Sequence, residues 1–233
     1  MSGNEQSDDL QALRLRVARS CGALKVFPLA GVVLFPGTAS PFHVFEPRYR
    51  AMTSDALAGD RVLALATLAS EEGASEDRAP LQPIAGVGII EEEQRLPDGR
   101  YQIVVRGVAR ARLVAEIDNG KPYREFRAEL LADVYPPGGP VALEGARTAL
   151  EMLVLRLVEV LPEESGAPQL ADAAARTASP SALADLVAAA VVSDPGPRLA
   201  VMEELDVARR LDLVTAEVAS VILVLSRGRT PKA

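Results

Sequence analysis

Every aromatic side chain in this chain of 233 residues lies at or before Tyr135. The five Phe and four Tyr fill the first part, and none follows through Ala233. The break falls on Pro136-Pro137-Gly138-Gly139-Pro140. A run of this kind supplies neither a helix interior nor a central strand, and it reads as a linker. It therefore sets a boundary: a domain over 21–135, a linker over 136–140 and a second domain over 141–228. The length suits one large domain or two small ones, at roughly 100–200 residues each.

The first domain reads as β. Pro28, Gly31, Pro36, Gly37 and Pro41 interrupt the apolar stretch from Leu24 to Phe45 too often for a helix. Pro47 offers a first-turn position for a helix through about Ala58, with Tyr49, Met52 and Leu57 near one face. Arg61–Leu68 is a strand candidate, and the charged stretch Glu71–Arg78 a loop. Pro97-Asp98-Gly99 is a hairpin signal between Gly86–Arg95 and Arg100–Arg106. Ala109–Ile117 alternates with period 2, its odd positions inward and Arg110, Arg112, Val114 and Glu116 outward. Phe126, Ala128, Leu130, Ala132 and Val134 alternate in the same way. Gly86, Gly88 and Gly107 inside strand-like runs indicate bulges or tight bends. About six short strands and one helix indicate a small, partly closed barrel.

The second domain reads as α. Leu143, Ala146, Leu150, Leu153, Leu157 and Val160 recur at helical spacing. Ser179-Pro180 and Asp194-Pro195 each place a cap before a first-turn proline, and Asp206 can cap a last helix. In that helix Val207, Leu211, Val214, Val218, Val221 and Leu225 form a packing seam. Residues 1–20 are a flexible or helical arm, in which Ser7 could cap a helix bearing Leu10, Leu13 and Val17 on one face.

Chemistry-bearing residues are scarce. One Cys and one His build neither a disulfide framework nor a Cys/His zinc site. Gly120-Lys121 is followed by Pro122 where a phosphate loop needs Ser or Thr, and there is no Gly-x-Ser-x-Gly elbow. Cys21 and His43 are the one available nucleophile–base pair. His43, among Phe42, Val44 and Phe45, reads better as a packed imidazole with one hydrogen bond. Glu91-Glu92-Glu93 on a strand would point to alternating faces, so these carboxylates read as a solvated strand end and not a metal site. Arg106, Arg110 and Arg112 could form a basic patch. The net charge of -7 argues against a nucleic-acid binder, and each half is itself acidic. The acidic N-terminus does not resemble a signal peptide. Val218–Leu225 falls far short of the roughly 20 apolar residues a membrane span needs. The expectation is a soluble, cytoplasmic, bacterial protein with no membrane partner and no cofactor.

Three stretches together resemble one family. The first runs Phe27-Pro28-Leu29, Val33-Leu34-Phe35-Pro36-Gly37 and Pro41-Phe42-His43-Val44-Phe45-Glu46-Pro47-Arg48-Tyr49. It resembles the opening of the N-terminal, substrate-binding domain of Lon proteases. The second is Gly86-Val87-Gly88, the Pro97–Tyr101 hairpin and Gly107-Val108-Ala109-Arg110. The third is Leu183–Leu186 with Leu205–Leu211, similar to the helical part of that domain. The resemblance spans Leu24 to Leu225. It implies an α+β chain: a PUA-like β pseudo-barrel followed by a C-terminal α-helical bundle. It also implies a non-catalytic module that binds unfolded or specific polypeptides and can serve as an adaptor to a Lon-type or other ATP-dependent protease. The ATPase and Ser-Lys protease segments of such proteases have no counterpart here, so a stand-alone form is expected. An RNA-binding PUA-like module is the alternative, and a small hydrolase using Cys21 or His43 is the weaker one. Phe35, Pro36, Gly37, Phe42, Phe45, Glu46, Pro47, Arg48, Tyr49, Gly107 and Arg110 occupy the family-motif positions. Their expected role is mostly structural, and no substrate-binding motif transfers.

Overall fold

The computed structural model describes residues 3–69 and 79–228. The expected loop Glu71–Arg78 and the side chain of Leu10 lie outside the described residues. The chain separates into two compact units, Met1–Leu131 and Ala132–Ala233. That division precedes the Pro/Gly run, part of which is itself ordered: Gly139–Leu143 form a short 3-10 helix.

In the first unit, helix α1 covers Gly3–Ser20, so Ser7 lies inside a helix that begins earlier than its own cap position would allow. Six strands follow: β1 Leu24–Leu29, β2 Ala39–Val44, β3 Val62–Thr67, β4 Ile84–Arg95, β5 Tyr101–Ile117 and β6 Arg124–Leu131. Helix α2, Pro47–Ala58, lies between β2 and β3 and starts at the expected proline. The strand order is β2-β5-β4-β3-β1-β6, and β6 also pairs with β5. The sheet therefore closes into a ring of five strands, with β2 attached to the outside of β5.

The 17 residues of β5 make this closure possible. Its first half pairs with β2 and β4, and its second half with β4 and β6. The β4–β5 ladder shifts register beside Gly107. Val87 faces Ala109 while Gly88 faces Gly107, which leaves Val108 as the extra residue of a bulge. Gly107 is required by close approach, since a Cβ there would strike the Phe35 carbonyl and crowd Leu34.

Two apolar clusters fill the unit. One joins Phe27, Leu34, Met52, Leu63, Ile90 and Val105 beneath α2. The other joins Val26, Ala64, Val87, Ala111 and Phe126 to Val17 and Leu13 of α1. The amphipathic face of α1 thus covers sheet.

The second unit is helical: α3 Glu144–Val160, α4 Ala167–Ala175, α5 Pro180–Val191, α6 Pro195–Glu203 and α7 Val207–Gly228. Ser179 caps α5 by accepting the Ala182 N–H at 3.3 Å. Asp206 caps α7, accepting from the N–H groups of Ala208 at 2.9 Å and Arg209 at 3.2 Å. On α7 Val207, Leu211, Val214 and Val218 are fully buried, as the seam requires. Beyond them Ile222 is the buried residue, where the spacing points to Val221 and Leu225. A straight helix of 3.6 residues per turn drifts off a 3.5-residue seam within two heptads. Val134 is not an inward strand residue. It lies in the helical unit, exposed, and bridges to Asp206.

Arg210 organises this unit. It is fully buried on α7. Its guanidinium donates to Asp133 at 2.7 Å, to the Ser181 hydroxyl at 3.0 Å and to the Glu204 carbonyl at 2.8 Å, and lies 3.5 Å from Asp185. The Ser181 hydroxyl donates in turn to Asp133 at 2.5 Å. The chain therefore has the expected α+β architecture.

Candidate functional site: an open sheet surface beside an edge strand

The family-motif residues separate sharply by position. Phe35 is fully buried. Tyr49 is buried against Phe27, with ring centroids 4.7 Å apart. Gly37 sits in a turn at φ 80°. Glu46 precedes α2 in extended backbone, Pro47 opens that helix, and Arg48 pairs with Glu46 at 2.9 Å while stacking over Tyr49. Pro36 is half-buried beside Phe35, and Phe42 packs edge-on against Phe27 at 5.9 Å. These residues hold β2 and α2 onto the sheet.

Arg110 is not on the solvent face. It is 3% exposed, within the stretch 107–111 of β5 that is buried at every position. A basic patch of Arg106, Arg110 and Arg112 is therefore not assembled. Arg106 pairs instead with Glu91 at 2.7 Å.

Phe45 behaves differently. It is 59% exposed, directly after β2. His43 is exposed as well, its ring 6.0 Å from that of Phe45, so the packed imidazole expected from its apolar neighbours is not formed. Strand alternation explains this: Ser40, Phe42 and Val44 turn toward the core while Ala39, Pro41 and His43 turn out. The other member of the sequence-level pair, Cys21, donates to the Val17 carbonyl at 3.4 Å. Burial pushes its thiol up, away from the thiolate a nucleophile needs.

The outward residues of β2 continue across the sheet. Pro41 faces Val104 on β5, which faces Glu92 on β4; His43 faces Gln102, which faces Gln94. Together they line an open groove of about 490 Å³. Its floor is the apolar surface of Pro41 and Val104, and its rim is amide and carboxylate. Of the three consecutive glutamates, Glu91 is held by Arg106 and Glu93 by Arg61, while the exposed Glu92 makes no ion pair among the described residues. Arg61 has a left-handed backbone, φ 62°, and also donates to the Ile90 carbonyl at 2.8 Å. Among the described residues, no three His, Cys, Asp or Glu groups could hold a metal ion.

A second cavity, about 870 Å³, lies under the β5–β6 turn. Most of its charges are paired: Arg124 grips Glu116 twice at 2.7 Å, and Lys121 meets Glu125 at 3.0 Å and Asp55 at 3.6 Å. Tyr123 donates to Asp55 at 2.5 Å. Burial, reinforced by that hydrogen bond, pushes the phenol up to about 12. This network fixes the turn.

The sequence signal for the groove was available in the alternation of Ala39–Val44 with Pro41 in its midst, because proline within a strand marks an edge. What the sequence lacks is the partner strand that brings Val104 and Glu92 alongside.

The chain is thus a closed mixed sheet followed by a helical unit, with an open groove on the sheet. The chain matches the family model for the ATP-dependent protease La (LON) substrate-binding domain over residues 23–220, and it belongs to that family. It is 32% identical over 209 residues to a Lon protease of Roseiflexus castenholzii, covering 88% of this chain and 25% of that protein. It is 30% identical over 192 residues to Lon protease 2 of Myxococcus xanthus, covering 82% and 23%. The chain thus spans about a quarter of the length of these relatives. Among solved structures, the N-terminal domain of the Mycobacterium avium complex Lon protease superposes with TM-score 0.66 at 21% identity, covering 84% of this chain and 98% of that one. A Lon N-terminal domain protein from Xanthomonas campestris gives 0.56 at 20% identity, covering 83% and 97%. No helix among the described residues is long and apolar enough to cross a membrane.

Proposed function

We propose that this chain is a non-catalytic module that binds unfolded polypeptide on the β2–β5–β4 surface, and that it delivers such chains to a Lon-type or other ATP-dependent protease. The observation that carries this reading is the open groove with Pro41 and Val104 on its floor and Phe45 exposed beside it, in a chain of the substrate-binding family. Exposed apolar surface rimmed by polar groups suits ligands that are themselves partly apolar. Folded proteins bury such segments and unfolded ones display them. The acidic rim, Glu92 and Glu93, disfavours a nucleic-acid backbone.

The test is calorimetric binding of a reduced, alkylated model protein without ATP. Binding is expected for the wild type, with a loss of roughly tenfold or more in a Val104→Asp, Phe45→Asp double variant, each substitution placing a charge against an apolar contact. Absence of binding at high micromolar concentration would overturn the reading. Delivery is tested separately, by co-purification of an ATP-dependent protease with the tagged chain.

A further inference from the structure

The groove is bounded on one side by a strand with a free edge. β2 stands at the end of the strand order and bonds only to β5. The ladder phase follows from one bond at its start, where the Gly107 N–H donates to the Thr38 carbonyl at 2.8 Å. In an antiparallel pair, bonded residues recur at every second position. Register places Ser40, Phe42 and Val44 in phase with Thr38, opposite Val105, Ile103 and Tyr101. The backbone groups of Ala39, Pro41 and His43 therefore face away from β5. No other backbone hydrogen bond among the described residues reaches them.

The free edge thus offers the N–H groups of Ala39 and His43 and the carbonyls of Ala39, Pro41 and His43. Pro41 contributes no N–H, and it occupies one of the positions where a β strand tolerates that loss. The same three residues turn their side chains to the groove side, beside Val104 and Glu92.

We infer that an extended segment of bound polypeptide adds to β2 as a further strand, hydrogen-bonding to the Ala39–His43 edge. This rests on the groove reading above and specifies its binding mode. Unmatched backbone donors and acceptors in a row select an extended backbone, whatever its sequence. Alternate side chains of the incoming strand then lie beside Ala39, Pro41 and His43 on the groove side. The occupant is therefore an extended segment with apolar side chains at alternate positions, set against Pro41. Helices and central strands are excluded, because their backbone groups are already bonded.

The edge can be altered without altering the β2–β5 ladder. His43→Pro removes the outward N–H, as Pro41 already does two residues earlier. His43→Ala removes the imidazole and keeps the N–H. The probe is a short synthetic peptide of alternating Val and Thr with one Lys, titrated against the full chain, alongside the same peptide N-methylated at alternate residues. Edge pairing predicts that His43→Pro and N-methylation each weaken binding roughly tenfold, the value of one or two lost backbone hydrogen bonds, while His43→Ala changes it less than about threefold. It also predicts slowed exchange of the His43 amide on peptide addition. Unchanged thermal melting of His43→Pro confirms that the strand is intact. If the parent peptide binds and neither His43→Pro nor N-methylation weakens it, edge pairing is overturned and the groove reading stands. If no peptide binds, both are overturned. A dimer abolished by His43→Pro, with no peptide effect, would make a second copy the occupant and overturn the inference.

Discussion

The sheet unit and the helical unit solve the same problem with opposite resources. In the helices each backbone hydrogen bond closes within its own segment, so packing is specified by side chains, and at the centre stands a charged cluster, Arg210 with Asp185 and Asp133. In the sheet the backbone bonds run between segments far apart in sequence, such as Leu24 with Phe126 and Ala39 with Arg106. Packing there is set by how closely strands approach, and the two central clusters are apolar, with Arg110 and Glu125 buried outside them. The difference has a functional side. A helix has no spare backbone to offer a partner along its length, whereas a ring of strands with a sixth attached has one open edge.

The comparison breaks most visibly at Arg210. Arg210→Met removes the guanidinium that Asp133 and Asp185 share, and Asp185 is only 1% exposed. Removing one partner of a buried pair costs about 3–5 kcal/mol. Urea unfolding followed by helical ellipticity is expected to show that loss. A shift below about 1 kcal/mol, the range of exposed pairs, would show that Arg210 is not the keystone.

The sheet should instead fail by addition. Gly107→Ala puts a methyl group against the Phe35 carbonyl, a backbone atom that cannot swing aside. Overpacking of this kind costs about 1–3 kcal/mol. Tyrosine fluorescence during urea unfolding is a suitable readout, since Tyr49 and Tyr101 lie in the affected cluster. An unchanged midpoint would mean that the Phe35 turn is free to move, and the close-approach account would fall.

How legible each feature was in sequence follows from the range of its cause. Pro47, Ser179 and Asp206 announce their helices because a cap acts within one turn. The arrest of the aromatics at Tyr135 points to two parts, while the compact units divide earlier, after Leu131. By contrast, the closure of β6 onto β5 joins residues paired across a turn and then continued around a ring, and alternation in either strand does not reveal its neighbour. Arg110 looks solvent-facing by a parity that holds at Arg112, Val114 and Glu116, but the stretch 107–111 is buried at every position. Arg210 sits beside Arg209 in the sequence, one buried and one exposed, and only the packing of α5 against α7 distinguishes them. His43 shows the converse: its apolar neighbours suggested burial, while its place on an edge strand exposes it.

A smaller effect is expected at the cap of α7. Asp206→Ala leaves the Ala208 and Arg209 N–H groups without their side-chain acceptor, a loss of about 1 kcal/mol. Asp206→Asn retains an acceptor and should recover most of it, as read by the urea midpoint of helical ellipticity. Equal losses in both variants would assign the effect to charge and not to capping.

The smallest expected effect belongs to the sheet unit and is visible only in acid. Asp60 accepts the Ser20 hydroxyl at 2.6 Å and the Val62 N–H at 3.0 Å, and Lys25 lies 3.8 Å away. Burial, the largest single influence, raises its pKa; the Ser20 and Val62 hydrogen bonds and the Lys25 charge together outweigh it and hold the carboxyl below 3.8. Because the folded value lies under the unfolded one, the stabilisation is fully present above that pH and is lost as pH falls through the folded value. Asp60→Asn removes the titration while leaving an acceptor for Ser20. The wild-type advantage over Asp60→Asn is therefore constant at neutral pH and shrinks as the solution is acidified past 3.8. Urea midpoints of the two proteins across that range measure it. A pH-independent difference would mean that the tie between α1 and β3 through Ser20 and Asp60 depends on hydrogen-bond geometry alone and not on the carboxylate charge.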